Sequence, residues 1–183
     1  MIYKPEPGAV ELLATYARLV GAWAPRTDLV SERDLPRFEQ RHVDDSLRLL
    51  ELVSSAPPGP AADVGSGAGL PGVPLAICDP GREWHLIEPR RKRAAFLEEV
   101  VRELDLPNVV VLAITAEEAA RDPAFGSNHS IAVARALAAP AVAFDLILPL
   151  VAPGGLAAVM IGRAEAPPNS TTWATGIATV SVR

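Results

Sequence analysis

The spacing of apolar residues predicts helices at the start of the chain. Up to residue 53 they recur at steps of three and four, which places them along one side of an amphipathic helix. The first stripe predicts a helix over residues 8–24, and the second predicts a single helix that begins after Asp34 as its N-cap. The two stripes consist of Val10, Leu13, Ala17, Val20 and Trp23, and of Leu35, Phe38, His42, Leu49 and Val53. The proline-rich stretch 54–60 breaks this periodicity, so we expect a helical extension over residues 1–56.

Beyond residue 57, short apolar runs alternate with helical segments. Runs such as Ile131–Ala134 are apolar at every position, which is typical of strands that are buried on both faces. Strands are predicted at 61–64, 84–88, 109–112, 130–134 and 156–161, and helices at 71–78, 91–104, 116–121 and 139–150. This order predicts a doubly wound, mostly parallel α/β sheet over residues 57–183, and we expect it to pack with the helical extension as one unit.

Four of the predicted strands end in residues that could contact a ligand. A glycine-rich loop follows the first strand, and Glu88 ends the second. The turn Thr115–Glu117 follows the third strand, and Arg135 ends the fourth. Because ligands of doubly wound sheets bind beyond the carboxyl ends of the strands, we expect these four places to face one crevice.

The glycine loop, residues 63–70, predicts a ligand that touches the main chain. Its glycines, which leave the backbone without Cβ atoms, are Gly65, Gly67 and Gly69. A dinucleotide fingerprint would need a further glycine where Leu70 stands, and Asp63 would repel a pyrophosphate. S-Adenosylmethionine carries a sulfonium and an ammonium group and no phosphate, and Glu88 could accept hydrogen bonds from its ribose hydroxyls. The loop therefore favours S-adenosylmethionine, and a dinucleotide oxidoreductase is a distant alternative.

Composition and charge narrow the choice of partner and compartment. The chain has 183 residues, a net charge of −5 and one cysteine, Cys78, so we expect neither a disulfide nor a uniformly basic surface for nucleic acid. A nucleic-acid site would be a local basic patch made of Arg90, Arg91, Lys92 and Arg93, which Arg41 could extend. We see no leader or membrane-spanning run and expect a cytoplasmic monomer. The single cysteine and the three histidines have no metal-ligand spacing, so we expect no metal site.

Several motifs are similar to those of one enzyme family. They are Asp63–Ala76, Arg41–Leu47, Leu86–Glu88 with Arg91–Leu97, Ala116–Glu118 and Ala134–Ala136. Together they resemble the RsmG (GidB) family of bacterial ribosomal RNA methyltransferases over residues 10–160, and Leu70–Pro74 is the most specific match. The resemblance implies a Rossmann-like, S-adenosylmethionine-dependent enzyme that methylates N7 of a guanine in small-subunit ribosomal RNA. Guanine N7 has a lone pair and no proton, so this reaction needs no general base.

The resemblance also implies roles for individual residues. The cofactor would be held by Asp63, Gly65, Ser66, Gly67, Gly69, Leu70, Glu88, Ala116, Glu117 and Arg135. Arg135 would also act as the catalytic residue, close to the target base. We assign RNA binding to Arg41 and to the basic run Arg90–Arg93.

Two departures from the family pattern keep other substrates open. Ile161 stands where the family usually has a lysine after the fifth strand. The tail Arg163–Arg183 is also shorter than the family's usual final pair of strands. We therefore retain two alternatives: a methyltransferase of small molecules, and a cofactor-binding paralogue without RNA methylation activity.

Overall fold

The computed structural model describes residues 5–162, 164–168, 170–173 and 176–182. These residues form a seven-stranded sheet with hydrophobic cores and helices on both faces. The strands are β1 (Ala61–Val64), β2 (Trp84–Ile87), β3 (Val109–Leu112), β4 (His129–Arg135), β5 (Val151–Met160), β6 (Thr171–Trp173) and β7 (Ile177–Ser181). The α-helices are α1 (Pro7–Trp23), α2 (Asp44–Leu47), α3 (Leu50–Ser55), α4 (Gly72–Cys78), α5 (Arg91–Glu103), α6 (Ala116–Arg121) and α7 (Pro140–Ile147).

The strand order of the sheet is β3-β2-β1-β4-β5-β7-β6. Strands β1 to β5 are parallel, whereas β7 runs antiparallel to both β5 and β6. The prediction of a doubly wound, mostly parallel sheet is therefore confirmed, and all five predicted strands are present. Because these strands are parallel, the carboxyl ends of β1, β2 and β4 lie at one edge of the sheet. The direction in which strands are added reverses between β1 and β4, and a crevice is expected at that point.

The sequence did not predict the antiparallel pair at the end of the sheet. Strand β6 has only three residues, and β7 carries the polar residues Thr179 and Ser181. The backbone pairing of β7 with β5, from Leu156–Ser181 to Met160–Ile177, builds this strand. Strand propensity depends on such neighbours, so the local composition of the tail was not sufficient to reveal it.

The second N-terminal stripe does not form the single helix that its spacing predicted. The segment divides into a 3-10 turn at Leu35–Arg37, a π-helical turn at Glu39–Val43, and the short helices α2 and α3. In the π-helical turn the carbonyl of His42 accepts hydrogen bonds from the Ser46 hydroxyl (2.7 Å) and from the Arg135 guanidinium (3.2 Å). Donors from outside the backbone ladder favour such a widened turn, and sequence spacing alone does not reveal them.

Asp34 was predicted to cap this helix, and that prediction is wrong. Its side chain makes no capping hydrogen bond to the backbone. Instead its carboxylate accepts hydrogen bonds from the Ser31 hydroxyl and from the Arg41 guanidinium, each at 2.7 Å. These contacts lower the pKa of Asp34, chiefly through the bond from Ser31.

The two faces of the sheet pack against different helices. Alternate residues of β4 divide between them: Ile131 and Val133 join the core beneath α4 and α5, whereas Ala132 and Ala134 join the core beneath α6 and α7. Helix α1 contributes its buried residues, Leu13, Tyr16 and Val20, to the first of these cores. The N-terminal helices therefore pack on the same face as α4 and α5.

Candidate active site

The glycine loop after β1 has the bare backbone that its sequence predicts. Gly65, Gly67 and Gly69 have φ values of +71°, +57° and +92°, a region that L side chains rarely adopt. The Gly65 N–H donates to the carbonyl of Ile87 at 2.8 Å, which ties the loop to the end of β2. A Cβ at Gly65 would also lie 2.5 Å from Cδ1 of Leu137, a neighbour from the segment after β4 that the sequence did not single out.

Asp63 lies underneath this loop rather than beside an open crevice. Its side chain is completely buried, and Oδ2 accepts a hydrogen bond from the Gly72 N–H at 3.0 Å. Burial raises the pKa of this carboxyl to about 7, although the bond from Gly72 opposes the shift. Gly72 is the first residue of α4, and the N–H groups at a helix N-terminus are those that bind anions. One of these N–H groups is therefore already bonded to Asp63.

Glu88 holds the glycine loop from the end of β2. Its Oε2 accepts from the Gly67 N–H and its Oε1 accepts from the Arg90 N–H, both at 2.9 Å. The side chain is only 3% exposed. Each carboxylate oxygen has more than one lone pair, so these bonds leave acceptor capacity for a ligand hydroxyl.

The other predicted cofactor residues differ in their accessibility. Ser66 and Leu70 have buried side chains, and the Ser66 hydroxyl donates to the carbonyl of Asp63 at 2.9 Å. Ala116 is buried at the start of α6, whereas Glu117 next to it is exposed. Any contact of Ser66 with a ligand would therefore involve its backbone.

Tyr16 of α1 supports the glycine loop, a role that the sequence did not predict. Its hydroxyl donates to the carbonyl of Ala68 at 2.6 Å, and the side chain is completely buried. Burial, aided by the charge of Asp63, raises the pKa of Tyr16 well above its ordinary value. Helical spacing could identify Tyr16 as a core position, but not its partner 52 residues away.

We expect Tyr16→Phe to lower the free energy of unfolding by about 1–2 kcal/mol, because it leaves the buried Ala68 carbonyl without its donor. The affinity for S-adenosylhomocysteine should fall severalfold, since the loop loses a support. Chemical denaturation and calorimetry measure the two effects. Thr15→Val is the matched control, because Thr15 accepts only an exposed hydrogen bond from Arg18. Equal behaviour of the two variants would contradict the assigned role of Tyr16.

Arg135, at the end of β4, is anchored to the N-terminal segment. Its guanidinium donates to the carbonyl of His42 and contacts Nδ1 of the same residue. A guanidinium has no acceptor, so Nδ1 must accept and the proton of neutral His42 is on Nε2. Burial lowers the pKa of His42, and the charge of Arg135 lowers it further. Burial also lowers the pKa of Arg135, while the carboxylate of Asp45 is the strongest charge that opposes this effect.

A cleft of about 570 Å³ opens beside Arg135, between α2 and the end of β5. Among the described residues, the charged side chains that line it are Asp45, Arg48 and Arg135. Val159, Met160 and Ile161 line the side formed by β5 and the residue after it, so the position of the family's usual lysine faces this cleft. Such a volume is sufficient for a small ligand or a single nucleoside.

The predicted RNA-binding residues are in different situations. Arg90, Arg91 and Lys92 are exposed at the start of α5. Arg93 is engaged within the chain, because its guanidinium donates to the carbonyl (2.5 Å) and to the carboxylate (3.3 Å) of Asp28. Arg41 is paired with Asp34, but its side chain remains 64% exposed.

The described residues contain no group of three or more potential metal ligands. His85 and His129 contact each other through Nδ1 and Nε2 at 2.8 Å, and His85 also contacts Glu83. Among the residues that the structure describes, no helix has the length and apolar character needed to cross a membrane.

Solved structures support the fold. A protein from Corynebacterium glutamicum aligns with a TM-score of 0.61 at 13% identity, covering 93% of this chain and 89% of its own. Precorrin-6y C5,15-methyltransferase from Geobacter metallireducens GS-15 aligns with a TM-score of 0.52 at 11% identity, covering 72% and 63%. At these identities the similarity concerns the fold alone, which is the Rossmann-like fold of methyltransferases.

Sequence relatives identify the family. The ribosomal RNA small subunit methyltransferase G of Acidiphilium cryptum is 43% identical over 155 residues, which cover 82% of this chain and 67% of the relative. The protein of the same name from Granulibacter bethesdensis is 40% identical over 166 residues, covering 89% and 74%. The family model described as rRNA small subunit methyltransferase G matches residues 9–171. The chain, with a glycine loop, Glu88 and Arg135 at one edge of its sheet, therefore belongs to the rRNA small subunit methyltransferase G family.

Proposed function

We propose that this protein transfers a methyl group from S-adenosylmethionine to N7 of a guanine in small-subunit ribosomal RNA. The observation that carries the proposal is the convergence of three features at one edge of the sheet. These are the positive-φ glycine loop held by Glu88, the anchored Arg135, and the open cleft beside it. Membership of the family supports both the cofactor and the RNA substrate.

The residues present fit S-adenosylmethionine better than a dinucleotide. A pyrophosphate would need free N–H groups at the start of α4, and the Gly72 N–H is already bonded to the buried carboxylate of Asp63. A positively charged ligand would not be repelled by Asp63. The sequence-based preference for this cofactor is thus supported by a contact that differs from the one expected, because Asp63 acts from beneath the loop.

The cofactor would be held by the backbone of Gly65–Gly69 and by the carboxylate of Glu88, which accepts from ribose hydroxyls. Ala116 and Glu117, at the start of α6, are the proposed neighbours of its base. When bound, S-adenosylmethionine supplies an electrophilic methyl group. The residues of the chain then serve to position this group and the target base and to exclude water, which are the sources of rate in a reaction that needs no base.

Arg135 is the proposed link between cofactor and RNA. His42 fixes one side of the guanidinium, and the other side lines the cleft. Arg135 therefore offers a hydrogen-bond donor of fixed orientation to a ligand in the cleft. Arg90, Arg91, Lys92 and Arg41 are the proposed contacts for phosphates of the RNA, since their side chains are exposed. Arg93, bonded to Asp28, is better suited to tying α5 to the N-terminal segment.

We expect Glu88→Ala to weaken the binding of S-adenosylhomocysteine by about tenfold or more, because it removes a charged acceptor. The same change frees the Gly67 and Arg90 amides from their shared carboxylate. Isothermal titration calorimetry measures the affinity, and Glu98→Ala, on the exposed side of α5, is the control. Unchanged affinity in Glu88→Ala would remove Glu88 from the cofactor site.

The substrate is tested with small ribosomal subunits from cells that lack this methylation. Incubation with labelled S-adenosylmethionine should transfer label to the RNA, and digestion to nucleosides should place it in 7-methylguanosine. Absence of incorporation by a chain that binds S-adenosylhomocysteine well would overturn the RNA substrate while leaving the cofactor assignment intact.

One observation favours a second candidate, a methyltransferase of small molecules. Val159, Met160 and Ile161 give the cleft an apolar side, and Ile161 replaces the lysine that would add a cation there. Labelled methyl recovered in a small-molecule extract, and not in ribosomal RNA, would favour this candidate.

A further inference from the structure

We propose that Asp45 reads the Watson–Crick edge of the target guanine, by accepting hydrogen bonds from N1–H and from the N2 amino group. This inference rests on the proposed function and deepens it, because it names the group that selects guanine. Among the described residues that line the cleft, Asp45 is the only carboxylate.

The position of Asp45 is poorly suited to phosphate binding or to stabilising the fold. A carboxylate repels the phosphates that Arg and Lys attract, so a cleft meant only for the RNA backbone has no use for one. The side chain is 37% exposed, and its Oδ1 lies 3.1 Å from NH1 of Arg48. Exposed ion pairs of this kind add little stability. The Arg48 contact does orient the carboxylate within the wall of the cleft.

Asp45 and Arg135 together present complementary hydrogen-bonding groups to the cleft. Both side chains line the cleft. The carboxylate of Asp45 is also the strongest charge that opposes the lowering of the Arg135 pKa by burial. Asp45 only accepts hydrogen bonds when ionised, and Arg135 only donates. A ligand that fits both groups needs donors beside an acceptor.

Guanine is the one RNA base whose edge has two adjacent donors next to an acceptor. N1–H and the N2 amino group can donate to the two oxygens of one carboxylate, while O6 accepts from an arginine. Adenine, cytosine and uracil each place an acceptor beside their donor and cannot form this fork.

The same binding mode leaves the reacting atom free. N7 lies on the five-membered ring, away from the Watson–Crick edge, so a base held by Asp45 presents N7 to the other side of the site. Methylation of N7 gives the purine ring a positive charge, which strengthens N1–H as a donor. A carboxylate bonded to that edge therefore interacts more strongly with the transition state than with the substrate.

The test compares guanine with inosine, which lacks only the N2 amino group, at the methylated position. After the product has been mapped, the target RNA is rebuilt with either base, as free RNA or as reconstituted subunits, whichever the wild-type protein methylates. We expect wild type to prefer guanine by about tenfold in kcat/KM, and Asp45→Asn to reduce that preference to below about twofold. Asp44→Asn, a neighbouring exposed residue that does not line the cleft, is the control and should behave as wild type.

Two further measurements separate this role from a defect in folding or in the proposed function. Calorimetry should give Asp45→Asn the wild-type affinity for S-adenosylhomocysteine, and fluorescence anisotropy should show the same lost preference in RNA binding. A wild-type protein indifferent to inosine, or an Asp45→Asn variant that keeps the preference, would overturn the role of Asp45. Failure of the wild type to methylate any guanine would instead overturn the proposed function.

Discussion

The free energy of unfolding is expected to fall by up to about 4 kcal/mol as the pH rises from about 4 to about 7, because of Asp63 alone. In the folded protein, burial raises the pKa of this carboxyl from 3.8 to about 7. Between these two values the unfolded chain has released the proton and the folded chain has kept it. The contribution of Asp63 to the free energy of unfolding is therefore fully present below pH 4 and is lost as the pH rises through 7. Above that, the free energy of unfolding no longer changes because of Asp63.

Asp63→Asn should remove this pH dependence. An asparagine has the same shape and can still accept from the Gly72 N–H through its amide oxygen, but it does not ionise. Urea denaturation at pH values from 4 to 8 gives the slope of the free energy of unfolding against pH for the wild type and for Asp63→Asn. Asp105→Asn is the control, since Asp105 is exposed and its φ of +48° suits asparagine. If Asp63→Asn kept the wild-type slope, Asp63 would not be the buried group that titrates.

Arg135→Ala is expected to lower turnover by roughly 100-fold while the affinity for S-adenosylhomocysteine changes by less than about threefold. The guanidinium lines the cleft and is fixed by His42, so its loss removes both a donor from the wall of the cleft and the link between β4 and the N-terminal segment. The cofactor loop has separate supports in Glu88 and Tyr16.

Single-turnover methyl transfer and calorimetry with the same preparations separate the two effects of Arg135→Ala. Arg135→Lys retains the positive charge but not the planar pair of N–H donors, and should have intermediate activity. Arg121→Ala, at the exposed end of α6, is the control for loss of an arginine. Full turnover in Arg135→Ala would exclude it from the active site.

The sequence predicted the parallel part of the sheet well because each of those strands carries its own signal. A run such as Ile131–Ala134, apolar at every position, requires burial on both faces and leaves few alternatives. The positions of Glu88 and Arg135 at strand ends followed from the same pattern. The positive φ values of Gly65, Gly67 and Gly69 were anticipated for a similar local reason.

What the sequence did not reveal depends on contacts between distant parts of the chain. The π-helical turn at Glu39–Val43 accompanies a bond between His42 and Arg135, which are 93 residues apart. The carboxylate of Asp63 was expected at an open crevice, but it lies buried beneath the loop. Its burial depends on the placement of α4 over β1, which the local sequence does not specify. Asp45 belongs to a motif in the sequence, but its place in the wall of the cleft depends on the packing of α2 near the ends of β4 and β5.

The attachment of both halves of the site to the N-terminal helices limits how the enzyme can be engineered. Tyr16 bonds to the loop after β1, and His42 bonds to Arg135 at the end of β4, so one segment sets the separation of the glycine loop and the cleft. In a chimaera that takes its first 56 residues from a relative, the alignment between methyl donor and acceptor would be that of the relative. Exchange of this segment is therefore a route to altered substrate choice, and not merely a change of scaffold.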